Sequence, residues 1–242
     1  MYERPDVPKP GKNRTAWAVA VLVVIGLALA LGLPALWRLA NDTNASTLGD
    51  GSLQQAVEGA QNALQVPDGT EATGNDVETF LVLTVDDIRA DAPTLQTAEL
   101  LCVDHTAKKS SRVTLPTDLS VDAGGSSVPL GELFSSQGEG ACVAPVSAAT
   151  GLAVSHVVEL DGGGWELFER AMTGGVQGAA QVGPELLSSL KTDMDTGQLM
   201  DLPESLSGTG VSVAEPQPCP MADGGAGVDR AALGALAGTL RQ

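Results

Sequence analysis

The chain has 242 residues, with 29 Gly, 14 Pro and only 3% aromatic residues. That is long enough for one domain with a core, but large anchors are scarce and the core must be Leu, Val and Ala. A formal charge of −17 excludes a nucleic-acid binder, which needs clustered Lys and Arg. Hydrophobic residues at 43% are too many for a disordered chain and too few for a polytopic membrane protein.

In chain order, the first feature is Ala16 to Trp37, 22 residues without a charge. As a helix it spans about 33 Å, the thickness of a bilayer core. Trp17 and Trp37 stand at its ends, where interfacial aromatics gather. Lys9, Lys12 and Arg14 precede it and Arg38 alone follows closely, which predicts a cytoplasmic N-terminus and an exported C-terminal part. A cleaved signal peptide has an apolar stretch of about 7–15 residues and a small-x-small site. This run is longer, and Arg38 spoils the candidate site at Ala40. Beyond residue 40 there are eight basic and 28 acidic residues. The plain reading of that acidity is solubility.

Residues 41–51 read as a polar linker. A capping pattern at Ser52 and apolar positions Leu53, Ala56, Val57, Ala60 and Leu64 predict a short amphipathic helix. The run from Phe80 to Val85 predicts a strand buried on both faces. Ala98–Val103, Arg112–Leu115 and Ala153–Val158 predict three more strands. Helices are expected from Trp165 to Met172, Pro184 to Leu190, Thr196 to Leu206 and Asp229 to Leu240. The last carries an Asp229 cap and a stripe of Leu233, Leu236 and Leu240, and residues 208–227 read as loop.

Few residues carry chemistry. Cys102, Cys142 and Cys219 lack metal-ligand spacing, and an oxidising compartment predicts one disulfide and one buried thiol, with three pairings open. His105 and His156 read as isolated. Alternation points Ser155 and His156 to opposite faces of a strand. Gly162–Gly164 lacks the Lys and Ser/Thr of a phosphate loop, and residues 193–197 lack the later ligands of a calcium loop. The strongest local signal is Asp86–Asp87 at a strand's carboxyl end, where open α/β sheets place ligands. Asp86 and Asp87 could hold magnesium, with Arg89 near a phosphate oxygen. A solvated turn is the plainer reading of those residue types.

Together these elements resemble the LytR-CpsA-Psr family. The resemblance rests on Phe80-Leu81-Val82-Leu83-Thr84-Val85-Asp86-Asp87-Ile88-Arg89, on Thr97–Asp104 followed by Lys108-Lys109, and on Val113-Thr114-Leu115-Pro116-Thr117-Asp118. It continues in Val154–Asp161, in the Trp165–Gly175 segment and in Thr196–Pro203. It implies a bacterial protein with one membrane anchor and an extracytoplasmic domain that works on polyprenyl-pyrophosphate-linked glycopolymers. The family's Arg-x-Asp-Thr is Thr94-Leu95-Gln96-Thr97 here, the Arg of its Pro-Arg-Asp is Thr117, and residues 176–190 contain no Arg or Lys. Arginines clamp a pyrophosphate and neutralise charge growing in the transition state, so their loss implies a degenerate site.

The expected fold is therefore an α/β protein, a three-layer α-β-α sandwich with a mixed sheet preceded by one transmembrane helix. The expected organisation is a cytoplasmic tail (1–14), an anchor (15–38), a linker with a short helix (39–76), the family-like domain (77–207) and a loop with a C-terminal helix (208–242). The resemblance implies a substrate-binding remnant of Asp87, Arg89 and Asp118. Asp87 and Asp118 would be the residues for Mg2+. The expected partners are the membrane, through residues 16–37, and a polyprenyl pyrophosphate lipid or envelope proteins. The expected role is non-catalytic, in cell-envelope glycopolymer assembly. An active phosphotransferase drawing on Arg112 or Arg170, and an unrelated interaction module, are the alternatives. Scarce Lys and abundant Ala and Gly point to a high-GC, actinobacterial source.

Overall fold

A computed structural model describes residues 48–60, 66–167, 189–195, 197–199, 215–225 and 227–241, with 170, 181, 185 and 186. The expected membrane helix and residues 201–214 lie outside the described residues, as does half of the expected Trp165–Met172 helix. Among the described residues no helix is long and apolar enough to cross a membrane.

Residues 46–242 form one unit. It opens with α1 (Gly51–Ala60), which buries Leu53, Val57 and Ala60. Its cap is Asp50, two residues earlier than the Ser52 pattern implied: Asp50 Oδ1 accepts the Ser52 amide at 2.8 Å. Then come β1 (Glu71–Ala72), β2 (Val77–Val85), β3 (Leu95–Asp104) and β4 (Lys109–Leu115). A hairpin of β5 (Ser120–Ala123) and β6 (Ser126–Pro129) leads into α2 (Leu130–Gln137) and α3 (Gly140–Thr150). The chain continues through β7 (His156–Asp161), β8 (Leu190–Thr192), β9 (Pro216–Pro218), α4 (Arg230–Ala237) and β10 (Leu240–Arg241).

The main sheet has six strands in the order β8-β7-β2-β3-β4-β9. β2–β7 and β4–β9 are parallel, and the other neighbours are antiparallel. Strand alternation sorts its apolar residues onto two faces. Leu81, Leu83 and Val85 join Ala98, Leu100 and Cys102 in a core with residues of all four helices, among them Leu133, Val143 and Leu233. Phe80, Val82, Leu101 and Val103 face the other way, onto Leu160, Leu167, Leu186 and Met194. Both faces are covered, which explains why β2 is an unbroken apolar run. The mixed sheet with helices agrees with the expected α/β class.

Several boundaries differ from the sequence expectation. The fourth strand starts at His156, and Ser155 instead bonds the Thr79 carbonyl through its amide. Leu190 opens β8 and does not close a helix. The stretch read as loop contains β9, whose Pro216 and Pro218 remove donors from an edge position that tolerates their loss. α4 begins on the expected cap, with Asp229 Oδ1 accepting the Ala232 amide at 3.0 Å. It ends at Gly238, with Leu240 already in β10. Leu236 is 41% exposed, and the buried face is Leu233, Gly234 and Ala237.

The expected disulfide is absent: all three cysteines are buried free thiols. Each faces a different neighbour. Cys102 Sγ meets Thr79 Oγ1, Cys142 Sγ meets the Gly138 carbonyl one turn back, and Cys219 Sγ meets the Pro220 carbonyl. Burial pushes Cys102 and Cys219 up to about 11 and Cys142 up to about 12, which makes them poor nucleophiles.

Gly238 carries two constraints at once. Its φ is +82°, and a Cβ there would stand 2.6 Å from Asp104 Oδ2. That carboxylate cannot retreat easily, because it accepts from Asn75 Nδ2 at 2.6 Å and the Ala107 amide at 2.7 Å. Gly238→Ala is expected to cost about 1–3 kcal/mol of stability, read as a lower urea midpoint with an unchanged slope.

Candidate functional site

β2, β4 and β7 run in the same direction, so their carboxyl ends share one edge of the sheet. Asp86–Asp87 leave β2 there, Asp118 follows β4, and Asp161 ends β7. The β2–β3 register slips at Thr84/Val85, just before the acidic pair, and such bulges re-aim the chain. Asp86 Oδ1 accepts the Thr94 amide at 2.8 Å and the Asp87 amide at 2.9 Å. Those two backbone donors hold its carboxyl below the usual range. Asp87 Oδ1 accepts the Arg89 amide at 2.9 Å. Asp161 Oδ1 accepts the Gly164 amide at 2.8 Å and caps helical residues 162–167.

Asp87, Arg89 and Asp118 are exposed. The topology brings them to one end of the sheet, with β3 between the strands that carry them. Two strand spacings amount to about 10 Å at the roots of the loops. Magnesium wants a near-octahedral oxygen set. Asp87 is partly engaged in its own turn, and among the described residues no group of three or more His, Cys, Asp or Glu is placed to hold a metal. The residues do not form a ready magnesium site.

Arg112, a sequence candidate for the missing clamp, has a different commitment. Its Nε donates to Glu99 Oε2 at 2.7 Å, and both side chains are nearly buried. Glu99 Oε1 also accepts from Thr114 Oγ1 at 3.4 Å. The guanidinium lies 4.0 Å above the Trp165 ring, a cation–π contact. Antiparallel register makes this cluster: Glu99 faces Thr114 and Leu101 faces Arg112. Sequence reading treated Glu99 as an ordinary strand residue. Its only signal was a lone acid inside an apolar run.

The other described arginines serve the fold or the surface. Arg230 donates to the Ala148 and Ala149 carbonyls at the end of α3. Arg241 pairs with Glu71, and Arg170 is exposed.

A second constellation lies at the opposite end of the sheet. The two histidines read as isolated meet on one carboxylate. His105 Nε2 is 3.2 Å from Glu78 Oε2, and His156 Nε2 is 3.3 Å from Glu78 Oε1. His156 Nδ1 is 2.8 Å from Asp193 Oδ2, while Asp193 Oδ1 accepts the Val157 amide at 2.7 Å. His156 also stacks on Phe80 with centroids 5.4 Å apart. Burial alone would lower the imidazole, but the bonds to Asp193 and Glu78 outweigh it and raise His156 to about 9. Burial likewise works against the Glu78 charge, yet the two histidines hold its carboxyl below the usual range. His156 is thus a charged tie between β2, β7 and the end of β8, and not a proton-accepting base at neutral pH.

Two surface recesses are defined by described residues. One of about 480 Å³ is lined by Val66, Pro67, Ala222, Val228 and Arg230 among others. The other, about 290 Å³, is lined by Asp76, Val77, Glu78, His105 and Ser155. Neither includes Asp87, Arg89 or Asp118.

No family model matches the chain, and no curated protein matches it. Solved structures do. The crystal structure of protein gbs0355 from Streptococcus agalactiae aligns with a TM-score of 0.51 at 8% identity, covering 69% of this chain and 90% of that one. The two share a fold. TagT bound to LI-WTA aligns with a TM-score of 0.48 at 12% identity, over 74% of this chain and 94% of that one. TagV of B. subtilis aligns with a TM-score of 0.48 at 10% identity, over 68% and 96%.

Proposed function

We propose that the chain is a membrane-anchored, extracytoplasmic protein of LytR-CpsA-Psr type that takes part in cell-envelope glycopolymer assembly by binding, without transferring. The sequence resemblance points to the family, and the mixed sheet with helices agrees with the α/β fold that the resemblance implies. The binding remnant is Asp87, Arg89 and Asp118 at the carboxyl ends of β2 and β4. The anchor is residues 16–37, with the N-terminus cytoplasmic.

The observation that carries the non-catalytic reading is the Arg112–Glu99–Trp165 cluster. Transfer from a lipid pyrophosphate needs preorganised cations aimed at charge that develops on phosphate oxygens. Arg112 is held against a buried carboxylate and a ring, while Arg230 and Arg241 are engaged with α3 and Glu71. The acidic residues in excess beyond residue 40 supply no compensating field.

The test is binding of a short polyprenyl pyrophosphate to the detergent-solubilised full chain, with and without magnesium, followed by a transfer assay. Saturable binding that weakens about tenfold or more in Arg89→Ala, as expected for loss of one charged contact to phosphate, with no transfer, is the expected result. Transfer would establish an active phosphotransferase. No binding at high micromolar lipid would remove the carrier lipid and leave a protein-interaction module.

A further inference from the structure

On the helix-covered face of the sheet, one lysine serves two carboxyl groups. Glu159 sits inside β7 at 2% exposure. Lys191 of β8 is its direct cross-strand partner. Lys191 Nζ lies 2.5 Å from Oε1 of Glu139, in the turn between α2 and α3. The Glu139 carboxylate is near enough to act on the Glu159 carboxyl, and two like charges close together at a buried place cannot both ionise cheaply. Asp50 at the start of α1 adds a negative charge near Lys191, and the Cys142 thiol of α3 faces both carboxyls. These are the titratable groups that α1, α3, β8 and the α2–α3 turn direct at Glu159.

The lysine's strand has a second role. β8 has β7 on one side, and on the other the chain entering the domain is laid against it. Leu48 bridges Thr192 in parallel. The Asp50 amide donates to the Thr192 carbonyl at 3.3 Å and the Gly49 amide to the Met194 carbonyl at 2.9 Å. Gln54 Nε2 adds a bond to the Asp193 carbonyl at 3.1 Å. What holds β8 therefore also holds the entering segment.

We propose that a proton held by the buried Glu159 is a latch: while it stays, Lys191 is left to Glu139 and ties the α2–α3 turn to β8, and so keeps residues 48–50 docked on the sheet edge. With the proton present the trio is neutral, with Lys191 as the counter-ion of Glu139. When the proton passes to solvent the trio carries one net negative charge. Glu159 then competes with Glu139 for the lysine, and the edge loosens. Burial first, and the Glu139 charge second, raise the Glu159 carboxyl to about 7 despite the opposing pull of Lys191, which places the release near neutral pH.

Amide hydrogen exchange on the detergent-solubilised full chain tests this between pH 5.5 and 8.5. Protection of the Gly49 and Asp50 amides, corrected for intrinsic exchange, is expected to fall about tenfold across pH 7. Glu159→Gln should hold it level. No step in the wild type, or the same step surviving in Glu159→Gln, overturns the latch. Should Glu159→Gln fail to fold, Glu139→Gln decides. Removing the neighbouring carboxylate must move the step to lower pH, and an unmoved midpoint overturns the proposal.

Discussion

Arg112→Ala is expected to destabilise the domain by about 3–5 kcal/mol, because it strands the Glu99 carboxylate among buried neighbours. For a domain of this size that lowers the unfolding midpoint on the order of 10 °C. The loss has two parts. The carboxylate loses its 2.7 Å partner and keeps only the Thr114 hydroxyl at 3.4 Å. The Trp165 ring loses a cation 4.0 Å from its centroid, worth up to about 2 kcal/mol when desolvated. The double replacement Glu99→Met with Arg112→Leu should recover most of the loss, because no buried charge remains unpaired. Calorimetry of the two single variants and the double variant checks this. An Arg112→Ala variant as stable as the wild type would mean that the pair is solvated and that Arg112 is available for a ligand, which would reopen the phosphotransferase reading.

The second large effect is a loss of stability above neutral pH, carried by His156. Its pKa of about 9 in the fold lies above the ordinary value near 6.5 in the unfolded chain. A raised folded value means the stabilisation is complete below about pH 6.5 and is lost as pH rises through about 9. The shift corresponds to at most about 3 kcal/mol, which partial exposure to solvent reduces. Glu159 adds a slope of the same sign at lower pH. Its carboxyl is near 7 in the fold and near 4.3 when unfolded, so its contribution fades between those values. His156→Gln should be less stable than the wild type at pH 6 and should lose the slope between pH 7 and 9.5. Urea titrations at three pH values measure both. A variant that keeps the wild-type slope would assign it to another group.

The strands of the central sheet could be read directly because they are buried on both sides. Phe80–Val85 has no polar position to spare, so composition alone marks it. The Asp229 cap was equally visible, since an aspartate before an apolar stripe has a local chemical reason to be there. α3 was not visible. Val143, Val146 and Cys142 are buried, and its remaining positions are mostly small and apolar, so no 3.6-residue contrast marks a face. Pro145 inside it argued locally against a helix. β9 was missed for a related reason. Two prolines in three residues read as loop, and only an edge position makes them acceptable in a sheet.

The site divides in the same way. Asp87 and Arg89 stood out because they follow an apolar strand, Asp118 entered through the family resemblance, and the shared direction of β2 and β4 places all three at one end of the sheet. The partners that decide the electrostatics did not stand out. Glu78, His105, His156 and Asp193 are scattered along the chain, and strand register alone gathers them. Glu99 with Arg112, and Glu159 with Lys191, are cross-strand arrangements whose members carry no mark in sequence.

By itself, the sequence determined what depends on local composition: an apolar run long enough to span a bilayer, a strongly acidic remainder, a set of doubly buried strands and the scarcity of arginine that argues against phosphate transfer. Only the tertiary structure decided which charges face which. That depends on register and layer packing between residues far apart in the chain, and a buried ionisable group takes its protonation state from its spatial neighbours.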